Sequence, residues 1–396
     1  MAKTTRGFVR KAMASLVLVF CILVAAVLVS FFFLFQNSSQ DSAVDCYVGV
    51  AFCGNTTSEA KLLIDRVKYY TNLLVIQSGP VSKNETATNE ICDYAVKAGL
   101  KLIVYFGDLN YRVLTNETLW RIDWVNSAGQ RWNSSLLGVY YYDEPGGLYL
   151  DTDWRQFPWT FVNATYDSTA YRFINGFKRD RGTVLLKNNS IPIFVSDYGL
   201  YWFDYLSGYD VVLAQAGWNH SFPQDIALLR GAANIQGKDW GVMITWKYTE
   251  SPYLASAEEI YNQMVNAYKA GAKYVVVFNY PQLVPNGYGV MKDEHFESLE
   301  RFWTEVVKDS SIRCGSLKAE AALVLPGNYG WGLRHPEDRI WGWWGPDEKS
   351  PGIWNLSRSL LSQYDLRLDI VYDDPFYSIG KNYTYVYYWN QTSFGP

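Results

Sequence analysis

Short apolar runs alternate with amphipathic stretches along residues 46–314. The apolar runs are rich in Val, Ile and Tyr and are mostly apolar on both faces, which is typical of buried parallel strands. They predict eight strands, at Cys46–Phe52, Asn72–Gln77, Lys101–Phe106, Leu136–Tyr142, Ile191–Ser196, Asp210–Gln215, Gly241–Trp246 and Tyr274–Asn279.

The stretches between these strands place apolar residues at helical spacing. Ala255–Ala270, for example, carries Ile260 and Met264 on one face, and Gly271 then supplies a helix stop just before the next strand. Strand and helix alternate eight times, and Met291–Ser310 forms the last helix. This α/β pattern predicts a (β/α)8 TIM-type barrel over residues 46–314. A doubly wound open sheet is the alternative.

Residues 315–396 show a different pattern. They predict a strand at Ala321–Leu325, a helix at Ile353–Tyr364 and two more strands at Leu366–Tyr372 and Tyr383–Trp389. This order is typical of a small C-terminal α/β module packed on the barrel. No Gly-rich phosphate loop opens its helix, so we expect no nucleotide there.

The N-terminal region predicts a membrane anchor. Ala12–Phe35 holds 24 residues without a charge, which is long enough to span a bilayer as a transmembrane helix over residues 12–36. Residues 1–11 are basic and lack acidic residues, so the N-terminus is expected in the cytoplasm and the main domain outside the cell, as in a single-pass protein of the cell membrane. Residues 37–45 form a linker. The alternative, a cleaved signal peptide, normally has a shorter apolar core.

Asn-X-Ser/Thr sequons are frequent beyond this segment. Eleven occur where the Asn, Ser and Thr content predicts about three by chance, at Asn37, Asn55, Asn84, Asn116, Asn133, Asn163, Asn188, Asn219, Asn355, Asn382 and Asn390. Sequons are acceptor sites in exported chains, which predicts a glycoprotein. Asn55 and Asn219 follow the first and sixth strands, so glycans there would crowd the open end of a barrel.

Four cysteines lie beyond the anchor, an even number suited to an oxidising compartment. In the predicted barrel, Cys46 and Cys314 fall at the end where strands begin, and Cys53 and Cys92 fall near the end where strands finish. Disulfides Cys46–Cys314 and Cys53–Cys92 follow as a hypothesis.

Composition narrows the partners. With three His residues and no Cys-X-X-Cys motif, a zinc site is not expected, and we expect no cofactor. The net charge of −4 argues against nucleic acid. The chain holds 16 Trp, 31 Tyr and 20 Phe, and rings with polar tips suit carbohydrate as a partner, although most of them must fill the core.

In barrel enzymes the active site lies where the carboxyl ends of the strands meet, here called the mouth. The fourth predicted strand ends in Tyr142, Asp143 and Glu144, before Pro-Gly-Gly. Alternation places Glu144 on the face of Tyr140 and Tyr142, with Asp143 on the other face. One carboxylate can therefore face the mouth while the other holds a loop.

Other strand ends add carboxylates, amides and rings to the mouth. They contribute Asp197, Trp202, Trp218, Trp246, Glu250, Asn279 and Tyr280. One carboxylic acid, a second carboxylate and stacking rings are what glycoside hydrolysis requires. The separation of the two carboxyl groups decides between retention, at about 5–5.5 Å, and inversion, at about 6.5–9.5 Å.

A glutamate ending strand four, opposite a carboxylate after strand seven, resembles the layout of glycoside hydrolases with (β/α)8 barrels. The Tyr-Asp-Glu-Pro run is similar to sequences in glycoside-hydrolase-like barrel families. This resemblance implies that Glu144 is the general acid and Glu250 the nucleophile, with Asp197 as a rival second carboxylate. Asp143 departs from the pattern, because Asn often precedes the acid in such enzymes.

The C-terminal stretches EAALVLPGNYGWGLR, IWGWWG and LDIVYDDP resemble the flavodoxin-like module that follows the barrel in some β-galactosidase-type enzymes, although the region here is shorter. Together these features predict a membrane-anchored extracellular glycoside hydrolase, or a relative of one, acting on glycans. The alternative is a non-catalytic glycan-binding or envelope protein with a degenerate barrel, because a fold alone does not determine function.

Overall fold

A computed structural model describes residues 46–109, 119–157, 163–281, 287–309, 311–380 and 382–391. Cys46–Pro396 forms one compact unit. The predicted transmembrane helix, the basic segment before it and the linker lie outside the described residues. Within the described part, no helix is long and apolar enough to cross a membrane.

Eight parallel strands close into a barrel in the order of the sequence, because β1 pairs with β8 from Tyr47↔Tyr274 to Phe52↔Asn279. The (β/α)8 prediction is therefore confirmed and the open sheet is excluded. The strands are β1 (Tyr47–Phe52), β2 (Leu73–Ile76), β3 (Lys101–Phe106), β4 (Leu136–Tyr141), β5 (Ile193–Asp197), β6 (Val211–Ala216), β7 (Asp239–Ile244) and β8 (Tyr274–Asn279).

Helices surround the strands and bury one face against them. Several ends carry the expected signals: Thr56 and Glu59 form a capping box at the first helix, and Gly271 adopts a φ of 100° after the ninth. The helices of the barrel are α1 (Thr57–Val67), α2 (Glu85–Lys97), α3 (Trp120–Trp132), α4 (Pro145–Asp151), α5 (Tyr166–Lys178), α6 (Arg181–Asn188), α7 (Tyr201–Leu206), α8 (Phe222–Gln236), α9 (Ala257–Ala270) and α10 (Asp293–Phe302).

The strand that differs most from its prediction is β7, which begins and ends two residues earlier than expected. Its first residue, Asp239, is exposed and forms an ion pair with Lys273 of 2.6 Å, so a polar residue starts a buried strand. At the other end, the chain leaves the sheet after Ile244. Trp246 therefore lies in the following loop, and Glu250 lies further out still.

The C-terminal region forms a three-stranded parallel sheet in the order β10 (Leu368–Tyr372), β9 (Ala321–Leu325), β11 (Tyr385–Tyr388), with α11 (Ser350–Tyr364) joining β9 to β10. This confirms a small α/β sheet after the barrel. The flavodoxin-like character expected from the resemblance is not confirmed, and the domain limits stay predictions.

Helix α8 joins this sheet to the barrel. Arg230 of α8 forms a buried ion pair of 2.7 Å with Asp369 of β10, with both side chains at most 2% exposed. Its guanidinium also donates to the carbonyl oxygens of Leu366 and Leu368. Every charge in this contact has a partner, as a buried ion pair requires.

A Trp-rich loop, residues 326–349, packs on the mouth side of the barrel. The ring of Trp341 is fully buried and lies 4.6 Å from Phe203 of α7 and 6.1 Å from Tyr149 of α4, between ring centroids. Arg334 of the same loop pairs with Asp151 at 2.9 Å. The loop therefore supports the segments that follow β4 and β5.

At the opposite end of the barrel, the sulfur atoms of Cys46 and Cys314 each lie 3.6 Å from the carbonyl oxygen of Ala272. The two residues thus meet where the sequence predicted. No disulfide bond is found among the cysteines of the described part. Cys53 and Cys92 are both buried, and burial raises the pKa of each thiol.

Candidate active site

The end of β4 is bent by two residues with left-handed backbone, Tyr142 (φ 61°) and Glu144 (φ 52°). The alternation expected past Tyr141 fails there for this reason. Tyr142 turns toward the outer layer, where its hydroxyl donates to Asp180 at 3.2 Å and its ring meets Phe177. The prediction that Tyr142 faces the mouth beside Glu144 is therefore wrong.

Glu144 is half-buried, and its Oε1 accepts a hydrogen bond of 2.7 Å from the side-chain amide of Gln215 at the end of β6. Burial raises the pKa of this carboxyl, and the charge of Asp151 raises it further, while the bond from Gln215 opposes the shift. A carboxyl with a raised pKa keeps its proton to higher pH, which suits a general acid.

Asp143 points back along the strand, because its carboxylate accepts a short hydrogen bond from the hydroxyl of Tyr140. That hydroxyl also lies 2.7 Å from the Ser196 hydroxyl oxygen of β5 and accepts from Gln77, the residue after β2, at 3.3 Å. Asp143 is exposed to solvent. Even so, the protein atoms around its carboxylate remove enough water to raise its pKa to about 6.

Asp197 of β5 is fully buried and serves the backbone. Its carboxylate accepts from the amides of Gly146 at 2.6 Å and Gly147 at 2.8 Å, and from those of Tyr198 and Gly199. It thereby caps α4 in place of Glu144, whose own side chain makes no capping bond. Any Cβ at Gly146 or Gly147 would clash with the loop after β5, so glycine permits this approach.

The end of β7 carries no carboxylate. Thr245 follows the strand, and Glu250 is exposed in the next loop, where it lines an open surface cleft of about 430 Å³ with Trp218 and Pro252. In the described part, no hydrogen bond joins Glu250 to Glu144. Lys247 of this loop pairs with Glu259 at 2.7 Å and so does not bridge the mouth carboxylates.

Aromatic side chains gather at the ends of β6, β7 and β8. Trp218 stacks on Trp246 with centroids 6.3 Å apart, and Trp246 lies 5.3 Å from Tyr280. Trp218 and Tyr280 remain 41% and 42% exposed. These three residues, named here the aromatic platform, form a partly exposed cluster of rings of the kind that can stack on a sugar.

Two other predicted site residues serve packing. Trp202 is buried on α7, where its ring contacts Tyr372 and Tyr377 of the C-terminal region. It is therefore not accessible to a ligand, and the prediction that Trp202 lines the mouth is wrong. Asn279 is buried at the end of β8, and its amide bonds the backbone of Tyr288 and Met291, which fixes the loop before α10.

Sequence reasoning missed Gln215, Tyr140 and Ser196 as members of the site. Gln215 ends the predicted sixth strand, and a polar residue at the end of an otherwise apolar strand was the available signal. Tyr140 and Ser196 lie inside their strands, and only the closed barrel brings their hydroxyls together. Within the described ranges, no group of three or more His, Cys, Asp or Glu side chains is placed to hold a metal ion.

Comparisons with solved structures agree on the fold. GH5_18 from Streptomyces cattleya, in complex with GlcNAc, has a TM-score of 0.51 and 10% identity, covering 87% of this chain and 98% of that one. Alpha-L-fucosidase isoenzyme 2 from Paenibacillus thiaminolyticus has a TM-score of 0.51 and 12% identity, covering 86% of this chain and 59% of that one.

No protein-family model and no curated protein sequence matches the chain. At 10–12% identity the structural likeness shows the fold and not the reaction. The chain therefore has a (β/α)8 barrel, the fold that it shares with these two structures, and a small C-terminal sheet.

Proposed function

We propose that this chain is a glycoside hydrolase with Glu144 as its general acid. The observation that carries the proposal is the environment of Glu144, a half-buried carboxyl at the end of β4 that is held by Gln215 and has a raised pKa. A general acid needs that position and that protonation state to donate to the leaving oxygen.

The aromatic platform supports a carbohydrate substrate. Its exposed rings lie at the carboxyl ends of β6, β7 and β8, and Gln215 places Glu144 at the same end of the barrel. A sugar stacked there would have its glycosidic oxygen near the acid. The two solved structures with glycoside-hydrolase barrels are consistent with this chemistry.

We further propose that residues 12–36 anchor the protein in the cell membrane, with the barrel outside the cell. The basic residues before the segment support this orientation. The nine sequon asparagines of the described part support an exported chain, because all nine are exposed, as oligosaccharyl transfer requires. Glycans of the cell surface or surroundings would then be the substrates.

A second function, glycan binding without hydrolysis, has one observation in its favour. Thr245 stands at the end of β7, where a second carboxylate was expected, and Glu250 lies in a surface cleft. A barrel whose carboxyl groups all lie on one side of a bound sugar could bind a glycan without hydrolysing it.

The experiment that separates the two is hydrolysis by the full-length protein of paired aryl glycosides. One member carries a poor leaving group, such as phenol, and the other carries 2,4-dinitrophenol, which departs without a proton. Glu144→Gln should lower kcat/KM for the first at least about 100-fold, the range of general acid catalysis, and spare the second. Glu297→Gln, a matched change at an exposed carboxyl of α10, should leave both rates intact.

Equal losses on both substrates would remove Glu144 from the acid role, and absence of hydrolysis on every glycoside would leave the binding protein. For the anchor, the protein should stay with membranes through alkaline carbonate extraction. Its mass should fall on treatment with an N-glycosidase. Release into the supernatant by carbonate would contradict the transmembrane helix.

A further inference from the structure

The proposed acid has a second carboxyl group as its immediate neighbour in the chain. Consecutive Cα atoms are about 3.8 Å apart, so Asp143 and Glu144 approach a bound sugar from one strand end. A catalytic base or nucleophile must act from the face of the ring opposite the acid. Asp143 therefore cannot supply the second carboxylate of a two-carboxylate hydrolase.

The other acidic residues near the strand ends are engaged elsewhere in the described part. Asp197 is buried on four backbone amides, Asp151 binds Tyr198 and Arg334, and Glu250 lies in its surface cleft. Asp108 follows β3, and its charge acts on Tyr142 and Arg121 in the outer layer. The described mouth thus offers an acid without an opposed nucleophile.

Asp143 is nonetheless set up as an acceptor beside the acid. Tyr140 donates to its carboxylate, and Ser196 and Gln77 contact the Tyr140 hydroxyl, so β4, β5 and the residue after β2 fix its orientation. Asp143 is also exposed to solvent. An oriented carboxylate next to the acid is suited to accept an N–H from a substituent adjacent to the reacting carbon.

Resting on the proposed function, we propose that the substrate is a glycoside of a 2-acetamido sugar, and that its acetamido oxygen is the nucleophile. Asp143 accepts the acetamido N–H and orients the group. Because the acetamido oxygen must attack opposite the leaving group, the bond cleaved is 1,2-trans, as in a β-glycoside of N-acetylglucosamine.

In the first step the bond from C1 to the glycosidic oxygen breaks, and the proton of Glu144 moves to that oxygen. The acetamido oxygen forms a new bond to C1, which gives a bicyclic oxazolinium ion beside the Asp143 carboxylate. In the second step water attacks C1 and the bond from C1 to the acetamido oxygen breaks, which restores the acetamide. Glu144 takes the proton of water. No oxidant or further reactant is needed.

The test uses the full-length protein and the 1,2-fused thiazoline of N-acetylglucosamine, a stable mimic of the bicyclic ion, measured by calorimetry. It should bind at least about 100-fold more tightly than N-acetylglucosamine itself, as a mimic of a high-energy state does. Asp143→Asn should lose at least tenfold of that affinity with no fall in melting temperature. Glu297→Gln, at an exposed carboxyl of α10, is the matched control and should lose none.

Three internal stretches of more than one residue lie outside the described ranges, and Glu117 is the only carboxylate in their sequence. Glu117 is therefore a rival for the role of nucleophile. Glu117→Gln should therefore keep both affinity and rate on a 2-acetamido aryl β-glycoside. Loss of rate in this variant, equal rates on the matching 2-hydroxyl glycoside, or a thiazoline no tighter than the sugar would each overturn the proposal. Hydrolysis of 2-hydroxyl glycosides that depends on Glu144 would overturn it while leaving the proposed function standing.

Discussion

Gln215 at the end of β6 donates a hydrogen bond of 2.7 Å to Glu144 at the end of β4. The same amide donates to Ser196 of β5 at 3.0 Å, so both of its N–H groups are used. The bond favours the charged form of Glu144, whereas burial favours the neutral form. Gln215 therefore moderates the pKa of the proposed acid while it holds the carboxyl in place.

Removing this bond should change the pH profile of hydrolysis. Gln215→Leu eliminates a donor to the carboxylate, so the pKa of Glu144 should rise and the alkaline limb of kcat/KM should move to higher pH. Gln77→Leu is the control, because Gln77 contacts the Tyr140 hydroxyl instead. If the alkaline limb of Gln215→Leu does not move, Gln215 does not influence the pKa of the proposed acid.

Asp143 should make stability fall with rising pH. Its pKa of about 6 in the folded state exceeds the ordinary 3.8, so the folded state binds the proton more tightly and loses that advantage between about pH 4 and 6. Asp143→Asn should raise the melting temperature more at pH 8 than at pH 4.

Asp65→Asn should behave in the opposite way, because Lys68 and Tyr94 lower the pKa of that exposed carboxyl and its contribution is present at neutral pH. Melting curves of both variants from pH 3 to 8 provide the measurement. The same sign for the two variants would contradict the shift at Asp143.

The cap at α4 should be worth more than an ordinary helix cap. Asp197→Ala leaves four buried amide groups without their acceptor and should lower the free energy of unfolding by about 2–4 kcal/mol. Ser256→Ala removes the exposed cap of α9 and should cost about 1 kcal/mol. Urea unfolding measures both, and equal losses would mean that the buried cap has no special weight.

The ion pair between the barrel and the C-terminal sheet should be sensitive to loss of one partner. Arg230→Met leaves Asp369 buried without its cation and should cost about 3–5 kcal/mol. Lys273→Met breaks the exposed pair with Asp239 and should cost about 0–1 kcal/mol. Chemical denaturation of the two variants compares them, and a loss below 1 kcal/mol for Arg230→Met would argue against this contact.

Cys46 and Cys314 should form a disulfide under oxidising conditions, because both sulfurs approach the same carbonyl oxygen of Ala272. Peptide mapping of protein secreted by an oxidising host should show the two joined. Cys46→Ser should then abolish that cross-linked peptide and lower the melting temperature. A map that joins Cys46 to Cys53 would contradict the placement of the two residues.

The barrel could be predicted from sequence because its signal is local and repeated. Each strand is a short run that is apolar on both faces, and Gly99 and Gly271 stop helices just before β3 and β8. The boundary errors fall where a polar residue begins a buried strand, as Asp239 does in β7. Local pattern cannot anticipate that such a residue finds an ion-pair partner in Lys273, just before β8.

The site could be predicted only in part. Glu144 was found because strand ends meet at the mouth, but the orientations of Tyr142 and Asp143 depend on left-handed backbone at two non-glycine residues. Asp197 looked like a rival catalytic carboxylate, and its four backbone bonds become visible only when β5 lies beside α4. Trp202 was predicted to line the mouth, and the strand pattern could not show that the C-terminal region covers its ring.

The fully buried ring of Trp341 makes the barrel dependent on the end of its own chain. The first turn of α4 is capped by Asp197 of β5, and its outer face is covered by this ring, which belongs to a loop nearly two hundred residues further on. When the ribosome has synthesised all eight strands, it has not yet synthesised the Trp341 ring that packs on the helix after Glu144. The proposed catalytic competence should emerge last during synthesis, after residue 341 has left the exit tunnel, so the eight strands alone would lack the proposed activity.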